Sequence, residues 1–183
     1  DFVFGWSFER GSDTVSLLII NANALDKNLD WAYGSKLYNQ LFENYNIHNI
    51  LLQHGIPSQI LTIAQVYYDG DEEANPSLPE EFNLLLFYDE GILINYTMPL
   101  KRIGEGEGKA CPSEAFFNMM LVPSGTSQFY QGMMFSSITD SPDPSPYAPL
   151  DIATQMTFDE FNQVFMESNS PCFETSLSIW PKH

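Results

Sequence analysis

The densest chemistry in the sequence is a carboxylate run, Asp69-Gly70-Asp71-Glu72-Glu73, with Glu80 and Glu81 close behind. Calcium takes roughly six to eight oxygen ligands, and alternate carboxylates from one loop can supply several of them. Asp69, Asp71, Glu72 and Glu73 are therefore the candidate calcium ligands. The run departs from an EF-hand loop, because no glutamate stands where the closing bidentate ligand belongs after an Asp-x-Asp-x-Asx-Gly start. The plainer reading of the same residues is a solvated loop. His48 and His54 come next. Six residues apart on a helix, at roughly 100° per residue, they point more than a quarter turn away from each other and cannot grip one metal from a single face. His54, beside Gly55, is placed to bind the last helix carbonyls or to pack.

The two cysteines, Cys111 and Cys172, form an even set in a Lys-poor, Asn/Ser/Thr-rich chain. That favours a disulfide in an oxidising compartment, with two buried free thiols as the alternative. A bridge would close a loop of about sixty residues and stabilise the fold by on the order of 4 kcal/mol. A nucleophilic cysteine needs a neighbouring base or cation, and near Cys111 the sequence offers only Lys109 and Glu114. Gly-x-Ser-x-Gly, P-loop, dinucleotide-glycine, His-Glu-x-x-His and Cys-x-x-Cys patterns do not occur. Gly104-Glu105-Gly106-Glu107-Gly108 alternates glycine with acids that would repel a phosphate, and it reads as a loop. Asn95-Tyr96-Thr97 is a glycosylation sequon, relevant in a eukaryotic secretory setting.

Seven Lys plus Arg against 24 Asp plus Glu give a net charge of −17. Nucleic acids and anionic membranes are bound by clustered cations, so both are disfavoured as partners. Basic protein surfaces and divalent metals remain favoured. No apolar run approaches the roughly 18 residues of a membrane-spanning helix. The start at Asp1, without a basic-apolar-small leader, fits a mature chain whose leader or anchor was removed, and a trimmed chain looks the same. With 44% hydrophobic and 14% aromatic residues, the 183-residue chain has enough to bury a core, and residues 1–183 are expected to form one domain.

The elements that would position these groups centre on Asn46–Thr62. Ile47, Ile50, Leu51 and His54 share one helical face, Asn46 can cap the helix, Gly55 can take the left-handed conformation past its end, and Pro57 prevents continuation. A preceding helix is expected from a Ser35 cap, with Leu37, Tyr38, Leu41, Phe42 and Tyr45 as its stripe. Gln59–Tyr68 is apolar on both sides, as a central strand would be. Phe82–Tyr88 and Ile92–Met98 make a hairpin around Asp89-Glu90-Gly91, and Ala115–Val122 makes a further strand. Residues 139–150 form a Pro-rich surface segment. Thr157 with Glu160 is a capping box opening a helix faced by Phe158, Phe161, Val164 and Phe165. Cys172–Trp180 could return as an edge strand or coil over the body. At the N-terminus, within residues 1–12, Phe2, Phe4, Trp6 and Phe8 alternate strictly, as in a strand with one buried face or an aromatic arm that docks onto a neighbouring subunit.

The helix ending in Gly55-Ile56-Pro57-Ser58, the hairpin Phe87-Tyr88-Asp89-Glu90-Gly91-Ile92, Cys111-Pro112, the capped helix, Cys172 and Trp180-Pro181 occur in an order that resembles uncharacterised extracytoplasmic, lipoprotein-type proteins of Chloroflexi-like bacteria. Gly55–Ser58 alone is similar to small outer-membrane lipoproteins of the SmpA/OmlA type, which pack two helices on a three-stranded antiparallel sheet. The resemblance implies an exported, non-catalytic protein with linked cysteines; a lipoprotein's first cysteine is missing here.

The expected fold is α+β: an antiparallel sheet of four to six strands, two short helices before the core strands, one helix near the C-terminus, and long loops. The expected function is a secreted or surface-exposed binding or structural subunit, without enzymatic activity, that contacts a protein partner or its own copies through Phe2, Phe4, Trp6 and Phe8. The alternative is a module binding calcium or another small ligand.

Overall fold

The computed structural model describes residues 2–8, 15–22, 44–65, 79–121, 147–167 and 170–180. The helix expected after Ser35, the acidic run from Asp69 and most of the Pro-rich segment lie outside the described residues. The described strands are β1 (Phe2–Phe8), β2 (Val15–Ala22), β3 (Gln59–Gln65), β4 (Glu81–Tyr88), β5 (Ile92–Gly104), β6 (Glu107–Ala110), β7 (Phe116–Leu121), β8 (Ala148–Pro149) and β9 (Phe173–Ser176). The helices are α1 (Ile47–His54), α2 (Leu150–Thr154) and α3 (Phe158–Met166). The architecture is the α+β one that the sequence leads one to expect, with a helix near the C-terminus.

The main sheet runs in the order β1-β2-β7-β5-β4-β3-β8, and every pairing is antiparallel. β5 is long enough, at 13 residues, to serve two partners in succession. Its first part lies between β4 and β7, and its last part pairs with β6, which in turn pairs with β9. The sheet thus reaches nine strands among the described residues, beyond the four to six expected. The surplus comes from very short strands. β8 has two residues and β6 and β9 four each, too few to show a period of two in isolation. β1 forms the terminal strand of the order, its backbone paired with β2 from Phe2↔Ala22 to Phe8↔Val15.

β4 is buried from Phe82 to Tyr88, which explains its unbroken Phe-Asn-Leu-Leu-Leu-Phe-Tyr run. On one face Phe82, Leu84, Leu86, Ile94, Tyr96 and Phe117 pack under the three helices. Phe173 from β9 is a hub there: its ring centroid lies 5.8 Å from Phe82, 6.4 Å from Phe161 and 5.8 Å from Phe165. Trp180 meets Phe82 edge-on, and its indole N–H donates to the buried Thr175 hydroxyl at 3.1 Å. Burying a side chain of this size contributes about 1.5–3 kcal/mol, so the tail is a working part of the core. The other face carries a smaller apolar cluster of Ile63, Leu85, Phe87, Leu93 and Met120.

The local signals act as their chemistry requires. Asn46 caps α1 by accepting the Asn49 N–H at 2.8 Å, and Gly55 ends it at φ +79°. Glu160 closes the capping box of α3 with Thr157, whose backbone and hydroxyl bonds hold its carboxyl below the usual carboxylate range. Two expectations need correction. Gly104-Glu105-Gly106-Glu107-Gly108 is no loop: it finishes β5, turns at Glu105-Gly106 and opens β6. The glycines suit a hairpin on steric grounds, because Gly106 sits at φ +79° and a Cβ on Gly108 would lie 2.8 Å from Leu100 Cδ1. On α3, Phe158 is exposed, while Asn162 takes a buried position by donating to the Phe158 carbonyl at 2.9 Å.

Candidate functional site

The face of the sheet opposite the helices changes character along its length. β4, β5 and β7 alternate sides with period two, so Asn83, Asn95, Thr97 and Asn118 share the face of Leu85, Phe87, Leu93 and Met120. The register sets Asn95 across from Asn118 and Thr97 across from Asn83. One end of the face is therefore apolar, and the middle is a row of carboxamides. Phe116, opposite Thr97, and Glu81, two residues before Asn83, extend the row, and both are half-buried.

The row is internally bonded but incompletely satisfied. Thr97 Oγ1 donates to Asn83 Oδ1 at 2.6 Å, and Asn95 Nδ2 donates to the same oxygen at 3.2 Å and to Thr97 Oγ1 at 3.3 Å. Two donors converging on Asn83 Oδ1 fix the orientation of that amide, since the flipped form would set Asn83 Nδ2 against Asn95 Nδ2. Three atoms are left over: Asn83 Nδ2, Asn95 Oδ1 and Asn118 Oδ1 are buried without a hydrogen-bond partner. Asn83 as a whole is only 5% exposed. A buried donor or acceptor left in this state costs about 1–3 kcal/mol. Carboxamides and a hydroxyl carry no charge at neutral pH, and this set can hold one polar group by donation and others by acceptance. At the sheet margin Gln65 Nε2 donates to Glu81 Oε2 at 3.5 Å.

Tyrosines flank the sheet. Burial pushes the Tyr147 hydroxyl well above the usual phenol range where it packs against the apolar end of this face. On the helix side, burial and then the charge of Glu90 do the same for Tyr88. Tyr96 is raised by burial and then by Tyr88, and it donates to the Tyr45 carbonyl at 2.6 Å.

The structure joins Cys111 to Cys172 in a disulfide between residues 61 apart. It ties the segment after β6 to the segment before β9, beside the β6–β9 pairing, and it ends the nucleophile reading of Cys111. Lys109 and Glu114 have other partners: Lys109 pairs with Glu174 at 3.2 Å and Glu114 with Lys101 at 2.6 Å. Both pairs are exposed and contribute at most about 1 kcal/mol each.

Of the other residues singled out by the sequence, Asp69, Asp71, Glu72 and Glu73 lie outside the described residues. Among the described residues no group of three or more His, Cys, Asp or Glu side chains is placed to hold a metal ion. His48 and His54 diverge: His48 Nδ1 donates to the Phe165 carbonyl at 2.8 Å, joining α1 to α3, and the His54 ring packs 5.8 Å from Tyr88. No described helix is long and apolar enough to cross a membrane. Phe2, Phe4, Trp6 and Phe8 occupy alternate positions of β1.

The carboxamide row is absent from the residues singled out by sequence. Each of the three stands as a polar residue in a largely apolar strand, but only Asn83 is fully buried, and nothing in the sequence brings the three together. Of the three asparagines only Asn95 stood out, as part of the sequon, and its amide nitrogen is engaged within the row. No family model, curated protein or solved structure matches the chain.

Proposed function

We propose that the chain is an extracytoplasmic binding protein that holds its ligand without transforming it and belongs to a larger surface or envelope assembly. The observation that carries the reading is the carboxamide row, where Asn83, Asn95 and Asn118 share one sheet face and each keeps a buried amide atom without a hydrogen-bond partner within the protein. Groups of this kind hold a ligand without exchanging protons with it at neutral pH. The Cys111–Cys172 disulfide supports the compartment, since such bridges persist in oxidising environments and are rare in reducing ones. The strong negative charge favours basic partner surfaces. β1, last in the sheet order and bearing Phe2, Phe4, Trp6 and Phe8, is the contact assigned to the assembly.

Two measurements test this reading. Mass spectrometry after alkylation of protein from its native source is expected to find both cysteines blocked until a reductant is added; two free thiols would overturn the compartment assignment. Deleting residues 1–10 is expected to lower the sedimentation coefficient of the assembled species, and an unchanged monomer before and after would remove β1 from the contact.

A further inference from the structure

We propose that β1 pairs with β1 of a second copy of the chain, antiparallel and centred on Gly5, so that the two sheets run on as one across a twofold axis. The inference rests on the reading of β1 as the assembly contact and supplies the partner and the register.

β1 ends the sheet order, and among the described residues no strand pairs with its outer edge. Such an edge presents a row of N–H and C=O groups to another strand, and native edges are commonly blunted by charge or proline. Phe2–Phe8 holds neither. The next two strands, β2 and β7, also carry no charged residue, although the chain has 24 acids and seven bases. For two copies, each of net charge −17, this is the end of the sheet where approach meets the least repulsion.

The residue pattern selects the strand that fits. Phe-Val-Phe-Gly-Trp-Ser-Phe has the same order of aromatic and non-aromatic positions read in either direction from Gly5. In an antiparallel ladder the residues whose N–H and C=O point outward meet others of that kind, and they alternate along a strand. A strand pairing with its own copy must therefore match residues whose numbers add to an even total. Centring on Gly5 keeps all seven residues paired, with Phe2 opposite Phe8, Val3 opposite Ser7 and Phe4 opposite Trp6. Every aromatic position then meets an aromatic position, a favourable kind of cross-strand pair. Centring on Phe4 or Trp6 instead leaves an aromatic residue at one end with nothing opposite it. The irregularity in the β1–β2 pairing leaves β1 unbroken, since the skipped residue is Ser16 of β2. An unrelated strand would make no use of the symmetry about Gly5. The pairing also closes, because β8 at the other end of the order has two residues and offers no comparable edge.

The test uses the full-length oxidised chain, whose two cysteines are already bridged, so that introduced thiols are the free ones. A chain carrying both Val3→Cys and Ser7→Cys is expected to form a covalent dimer under mild oxidation, because directly opposite residues lie about 4.5–5.5 Å apart, within disulfide reach. Either substitution alone should give none, since the two copies of that thiol then lie about 14 Å apart along the ladder. Single variants that crosslink as readily as the double one overturn the register and the proposal with it. In sedimentation the parent should run as a dimer. Phe4→Lys/Trp6→Lys, which sets lysine opposite lysine, should run as a monomer with the parent far-UV spectrum. The cysteine pattern decides independently should the lysines disturb the fold. A monomeric parent overturns the proposal, as do fibres in place of a closed pair, and as does a dimer that the lysines leave intact. The broader assembly reading fails separately, if particles from the native source keep their size when residues 1–10 are deleted.

Discussion

Removing the disulfide should destabilise the chain chiefly through its unfolded state. Cys111 and Cys172 are 61 residues apart, and in the chain-entropy model closing a loop of this length is worth about 4 kcal/mol. The native side changes little, because β9 keeps its pairing with β6 and Phe173, Leu177 and Trp180 remain in the core. A Cys111→Ala/Cys172→Ala variant should therefore retain its near-UV spectrum while its guanidinium midpoint falls by the equivalent of about 4 kcal/mol. For a chain of this size the melting temperature should drop by about 8–16 °C. Reduction and alkylation of the parent should give a similar shift. A loss below about 1 kcal/mol would refute the argument, since the unfolded chain would then gain little freedom from opening the loop. Loss of the near-UV signal under native conditions would refute it differently, showing that packing alone does not hold β9.

Three further outcomes follow from particular contacts. Phe173→Ala empties the centre of a four-ring cluster and should cost about 3–5 kcal/mol by chemical denaturation, whereas a cost near 1 kcal/mol would mean that the helices collapse into the space. Gly108→Ala places a methyl against Leu100 and Leu177, at 2.8 and 3.0 Å from their nearest atoms, and should cost about 1–3 kcal/mol; a neutral result would show the β5–β6 hairpin to be loosely packed. Glu160 has a folded pKa lowered by the Thr157 bonds, so its contribution is fully present above the unfolded value and is lost as pH falls through the folded one. The stability difference between parent and Glu160→Gln should accordingly shrink on acidification from neutral pH into that carboxylate range, and a difference independent of pH would contradict the capping box.

What was legible in the sequence was local. The Asn46 cap, the Gly55 stop, the β4–β5 hairpin and the Thr157-Glu160 box are each decided by residues within a few positions of one another, and each forms. The β5–β6 hairpin was missed because alternating glycines look like a loop. Gly106 and Gly108 are used for a positive φ and for close approach, and neither need is visible before the partners Leu100 and Leu177 are in place. β8 and β9 depend on pairing with β3 and β6, far away in the chain, and their own few residues carry no pattern. The carboxamide row lay beyond reach for the same reason. Asn83, Asn95 and Asn118 become neighbours only through the registers of β4, β5 and β7.

The most direct test of the central claim, that the carboxamide face is where a ligand is held, is a heteronuclear NMR titration that follows side-chain amide resonances as neutral sugars, free amino acids and short peptides are added in turn to the oxidised chain. The account predicts that with at least one of these probes the Asn83, Asn95 and Asn118 side-chain NH2 signals move together along one saturable curve. Saturable shifts confined to other surfaces, with those three residues unmoved, would contradict it.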